Sequence, residues 1–131
     1  NSRLATMPMA VHYRASLLGA FATAIAFSEG EIWLDSVIEN LDHNRHMLKD
    51  LLNSQLPSVR YHSPDNSYLA WLDLEKLNLG ADPAAVLIEK GRVAFNAGHI
   101  YGKQCSQYVR FNFATSPTII TEAVHRIARA I

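Results

Sequence analysis

Six residues near the C-terminal end, Tyr108-Val109-Arg110-Phe111-Asn112-Phe113, carry the pattern most suggestive of chemistry. Side chains alternate faces along a strand, so Val109, Phe111 and Phe113 share an apolar face while Tyr108, Arg110 and Asn112 share the other. An arginine in the middle of a strand is costly to bury without a partner. It either pairs with a structural carboxylate or stands ready for an anion. A guanidinium meets a carboxylate as a planar two-bond fork, a geometry that lysine does not reproduce. The alternation alone leaves both readings open.

Other residues with reactive side chains are poorly placed for shared work. His43 and His46 lie three apart on one helical face, but no third ligand follows at metal-binding spacing. They read as a solvated polar face, and no metal site is expected. His62, His99 and His125 are scattered and receive no role. Cys105 sits between Gln104 and Ser106 as an incidental thiol. As the single cysteine it excludes an internal disulfide and a CxxC pair. Trp33 and Trp71 read as packing anchors.

The elements that must position Arg110 follow from periodicity and turn residues. An alanine-rich apolar stretch from about His12 to Ser28 predicts a buried helix, stopped at Gly30 by a left-handed cap. It is too short to span a bilayer. A longer helix over 31–54 carries Ile32, Trp33, Val37, Ile38, Leu41, Leu48, Leu51 and Leu52 as a stripe, and Pro57 ends it. Strands are predicted at 59–62, 68–74, 92–96 and 108–113. Asp82-Pro83 opens a short helix stopped by Gly91. Between the last two strands lies the glycine-bracketed loop 97–102. Ser116-Pro117 opens a final helix whose apolar side carries Ile119, Ile120, Val124, Ile127, Ala128 and Ile131. The order α-α-β-β-α-β-β-α gives an α+β class, a small and mostly antiparallel sheet covered by helices.

Composition narrows the field. The 131 residues hold 12 basic and 12 acidic side chains, formally neutral overall, with 49% hydrophobic content. That is one globular domain's worth. No charge run suits nucleic acid or a membrane surface, so neither is an expected partner. The single cysteine fits a cytoplasmic location. The chain starts with Asn1 rather than methionine, which suggests a fragment or a processed product.

Three stretches in order, Ser67–Leu74, Val93–Gly102 and Tyr108–Ala114, resemble the C-terminal domain of the class I/II aminotransferases, in their cystathionine β-lyase-like carbon–sulfur lyase branch. Glu29–Asp35, leading into Asn40–Asn44, resembles that family's interdomain helix. The resemblance implies a fold-type I pyridoxal 5'-phosphate (PLP) enzyme acting on an amino-acid substrate, normally a homodimer. It implies that Arg110 binds the substrate carboxylate, and that Tyr101 and Gly102 line the pocket. The alternative for these two is a glycine-permitted turn with a half-buried tyrosine. Residues 1–30 would then end the large PLP-binding domain or its linker, and 31–131 would form the small domain with the interdomain helix.

The family's Schiff-base lysine lies in a serine-x-x-lysine motif upstream of that helix. No such motif occurs here, and Lys49, Lys76, Lys90 and Lys103 fall on a helix surface or in loops. The implied expectation is PLP in the parent enzyme, with no cofactor-binding or catalytic residue in this chain, which alone would be inert. Lyase and aminotransferase remain alternatives, as does a non-catalytic α+β binding or assembly module.

Overall fold

The computed structural model describes residues 16–131, together with Arg3 and residues 6–8. The chain divides into two compact units, residues 1–37 and 38–131.

In the first unit, helix α1 (Leu17–Glu29) begins at Ser16, whose Oγ accepts the Gly19 N–H at 3.2 Å. This satisfies one of the donors that every helix start leaves free. The predicted helix began near His12, but residues 12–15 lie outside the described residues. Where it is described, the segment is helical and not buried. No residue of α1 is buried, and Phe27 is 90% exposed. Apolar composition was read as burial, whereas the described side chains of this helix stand exposed.

Gly30 also differs from expectation. It adopts φ −83°, ψ −2° rather than a left-handed conformation, and its N–H donates to the Ala26 carbonyl at 3.0 Å. A Cβ there would collide with that same carbonyl oxygen. Close approach therefore demands the glycine, not handedness.

Helix α2 (Glu31–Gln55) runs one residue beyond its predicted end. Leu48 and Leu52 of the stripe are buried and Leu41 and Leu51 pack against the core. Ile32, Trp33 and Ile38 are exposed, so Trp33 is no packing anchor within this chain.

In the second unit, strands β1 (Arg60–Tyr61), β2 (Leu69–Asp73), β3 (Asn96–Ala97) and β4 (Tyr108–Asn112) form one sheet. Its order is β1-β2-β4-β3 with every neighbour antiparallel. Helix α3 (Pro83–Gly91) starts as its sequence predicts, with Asp82 Oδ1 accepting the Ala85 N–H at 3.2 Å and proline in the first turn. It ends one residue later than expected. Gly91 is its last residue, and Arg92 takes the left-handed conformation at φ 54°. The strand expected from Arg92 consequently begins only at Asn96, because a left-handed residue does not extend into a ladder.

Helix α4 (Pro117–Ala130) buries Ile120, Ala123, Val124, Ile127 and Ala130 at three- and four-residue steps. Ile119 and Ile131, assigned to the same side from sequence, are exposed instead. One face of the sheet, with Ala70, Leu72, Val109 and Phe111, joins Phe113 and the buried stripes of α2, α3 and α4 in a single core. The alternation read from 108–113 holds: Val109 and Phe113 are fully buried and Phe111 nearly so.

Candidate anion-binding site

The opposite face of the sheet carries the polar residues. Register places Arg110 of β4 directly between Trp71 of β2 and Asn96 of β3. All three therefore project from one side of neighbouring strands. An Arg110 terminal nitrogen donates to Asn96 Oδ1 at 3.0 Å. Its guanidinium carbon lies 5.2 Å from the centre of the Tyr101 ring, within cation–π range. Among the described residues Arg110 takes part in no ion pair; those found join Arg45 to Asp42, Arg60 to Asp73 and Glu75, and Arg126 and Arg129 to Glu122. An open depression of about 530 Å³ lies at the β3–β4 end of the sheet, where Arg110, Asn96 and Asn112 border it together with the apolar Phe95, Phe111 and Ile119.

Tyr101 ends a short 3-10 turn, Gly98–Tyr101, inside the loop anticipated at 97–102. Gly98 is buried, and a Cβ there would collide with the carbonyl oxygens of Cys105 and Tyr108. Its bare backbone is what seats the turn against the start of β4, which carries Tyr101 to the Arg110 guanidinium. Sequence reading singled out Gly102 and passed over Gly98. Gly102 does need its glycine: its φ is +141°, and a Cβ would press on the Gln104 side chain. It adjoins Tyr101 in the chain.

An aromatic row runs from Arg110 along the sheet. Tyr101 meets Trp71 edge-on at 5.4 Å between ring centres, and Trp71 stacks on Tyr108 at 5.5 Å with planes 15° apart. The negative charge of Asp73 raises the Tyr108 pKa. Asp73 is 5% exposed. Its Oδ2 accepts from Arg60 Nε at 2.7 Å and its Oδ1 from the Glu75 N–H at 3.0 Å. Burial pushes the Asp73 pKa upward, but the Glu75 backbone, Arg60 and Tyr108 together outweigh it and hold the carboxyl below its ordinary value. Nothing in the sequence pattern marked Asp73; it became visible only when the register set it opposite Arg60 and Tyr108.

The remaining candidates stay apart. His46 Nδ1 lies 2.9 Å from the Asp42 carbonyl oxygen on its own helix. No three histidine, cysteine or acidic side chains among the described residues gather to hold a metal. Cys105 is a half-buried free thiol in a second 3-10 turn, Lys103–Cys105. Lys49, Lys76, Lys90 and Lys103 are all exposed. No single described helix is long and apolar enough to cross a membrane.

No family model matches the chain. Individual relatives do. A provisionally named cystathionine beta-lyase of Mycobacterium tuberculosis is 38% identical over 145 residues, covering 98% of this chain and 36% of that protein. The cystathionine beta-lyase PatB of Bacillus subtilis is 35% identical, covering 87% of this chain and 30% of PatB. Among solved structures, cystalysin of Treponema denticola, which contains pyridoxal 5'-phosphate, superposes with a TM-score of 0.83 at 29% identity. That match covers 98% of this chain and 32% of cystalysin. The chain spans about a third of the length of the curated relatives it matches. Its α+β fold, its sheet order and its sequence make it a relative of the cystathionine β-lyase-like, PLP-dependent carbon–sulfur lyases, matching the C-terminal domain of that fold-type I family.

Proposed function

We propose that this chain supplies the substrate-binding arginine of a PLP-dependent enzyme acting on amino acids, a carbon–sulfur β-lyase, with Arg110 gripping the substrate α-carboxylate. The observation that carries the reading is the state of Arg110. It borders an open depression at the β3–β4 end of the sheet, with a neutral amide as its hydrogen-bond partner and, among the described residues, no carboxylate. After one N–H goes to Asn96, the guanidinium keeps four of its five donors, enough for a planar fork. Tyr101 stands beside the guanidinium and, in this reading, faces the bound substrate, with Gly102 permitting the turn that presents it.

The chain's own residues do not fit the cofactor. PLP catalysis requires a lysine amine to hold the coenzyme and move protons, while the coenzyme supplies the electron sink. All four lysines here are exposed, and none lines the depression at Arg110. In this reading the lysine and phosphate cradle belong to the part of the relatives that this chain does not match. Residues 1–30 are then the end of the large domain or its linker, and 31–131 the small domain. The parent is a cytoplasmic homodimer, and the isolated chain is inactive. What the chain contributes is orientation. A fork to the carboxylate fixes the substrate's α-carbon in one pose, and that positioning lowers the entropic part of the barrier.

The test uses the full-length protein. A desolvated two-bond fork is worth about 3 kcal/mol, so Arg110→Ala should lower kcat/KM about a hundredfold or more. Arg110→Lys keeps the charge and should still lose much of that. An amine substrate without a carboxylate should be indifferent to either change, and the thermal midpoint should hold. Thiol release from a β-thioether amino acid supports the lyase; amino-group transfer without it identifies an aminotransferase instead. Unfolding of Arg110→Ala with full activity per folded molecule would make Arg110 structural and overturn the proposal.

A further inference from the structure

We infer that Asn96 and Tyr101 are positioning residues that hold the Arg110 guanidinium ready for its ligand; this rests on the carboxylate-binding reading of Arg110. A free arginine side chain samples many rotamers, and freezing it at the moment of binding weakens the complex. Here two neighbours restrict it before any ligand arrives. Asn96 Oδ1 takes one terminal N–H at 3.0 Å, which fixes rotation within the guanidinium plane. The Tyr101 ring approaches the guanidinium at 5.2 Å, which restrains movement out of that plane.

Neither neighbour competes with the ligand. Asparagine oxygen is neutral, so it orients the guanidinium without neutralising it, and each terminal nitrogen keeps at least one N–H for a carboxylate. Tyr101 is itself braced. Its ring meets Trp71 edge-on, and Trp71 stacks on Tyr108. The brace runs from Trp71 of β2 to the guanidinium. Both residues act through Arg110, so their contribution is made equally to bound substrate and to the reacting state. Its signature is a change in KM with kcat preserved.

The experiment measures KM and kcat of the full-length protein with an amino-acid substrate, for Asn96→Ala, Tyr101→Leu and Tyr101→Phe, each alone and combined with Arg110→Ala. Asn96→Ala and Tyr101→Leu should each raise KM about three- to tenfold with kcat within about twofold. Tyr101→Phe retains the ring and should restore KM. In the Arg110→Ala background both effects should vanish. Asn96→Asp guards against a folding defect: it gives Arg110 a competing carboxylate and should raise KM while the thermal midpoint is kept. If Arg110→Ala lowers kcat/KM but the Asn96 and Tyr101 variants do not raise KM, or if their effects persist without Arg110, the positioning role is overturned and the carboxylate reading stands. If Arg110→Ala itself leaves kcat/KM unchanged, the underlying reading fails and this inference with it.

Discussion

Two charged groups on one sheet face are treated in opposite ways. Arg110 is left with a neutral partner, whereas Asp73 accepts from Arg60 and from the Glu75 N–H. A buried carboxylate so surrounded contributes to stability, because its charged form is favoured in the folded state and not in the unfolded one. The sign follows from its lowered pKa. The contribution is fully present above the ordinary value of 3.8 and is lost as pH falls below it, through the folded value. Asp73→Ala should destabilise the protein by about 1–3 kcal/mol at neutral pH, by leaving its donors without an acceptor. The same variant should flatten the loss of stability on acidification below the ordinary carboxylate range. Denaturant midpoints at a series of pH values check both; parallel profiles for variant and parent would show that Asp73 does not carry the linkage.

Among the elements, α2 is fastened to the end of β4 by one side chain. Asn44 is 3% exposed, and its Nδ2 donates to the carbonyls of Phe113 at 3.0 Å and Thr115 at 2.8 Å. These bonds complete the backbone of the turn between β4 and α4, which neither element's own ladder satisfies. Asn44→Ala strips two carbonyls of their donor and should cost about 2 kcal/mol or more. Asn44→Leu restores apolar volume without the donors and should not recover the loss. Hydrogen exchange should show faster opening at the start of α4 in both variants. Recovery by leucine would mean that packing rather than hydrogen bonding fastens the helix. Sequence reading gave Asn44 no part, because an asparagine in a helical stripe looks like a solvent-facing residue. Its buried partners lie 69 and 71 positions away.

At the scale of the whole molecule, the described residues of the unit 1–37 present exposed apolar side chains. Leu17, Leu18, Phe21, Ile25, Phe27, Ile32 and Trp33 are each more than half exposed. Contiguous patches of this kind drive association. The isolated 131-residue chain should therefore self-associate at micromolar concentration, and Phe21→Glu combined with Phe27→Glu should return it towards a monomer. Sedimentation velocity decides; a monodisperse monomer before any substitution would show that the helix finds its cover within the chain.

Local chemistry was enough for much of this. Asp82-Pro83 and Ser116-Pro117 placed two helix starts, since capping needs only neighbours three residues away. Alternation in 108–113 separated the core face from the face bearing Arg110, since a strand's period of two is a property of the backbone. The role expected of Arg110 came from resemblance, not from the alternation. Tertiary structure decided what depends on distant partners. The register of β3, β4 and β2 set Asn96 and Trp71 on either side of Arg110. The close approach at Gly98 brought Tyr101 to the guanidinium, and the fold buried Asp73 and Asn44. The apolar run in α1 shows the same limit from the other side. Hydrophobicity states that a segment requires cover, but only the assembled structure shows whether the chain provides it.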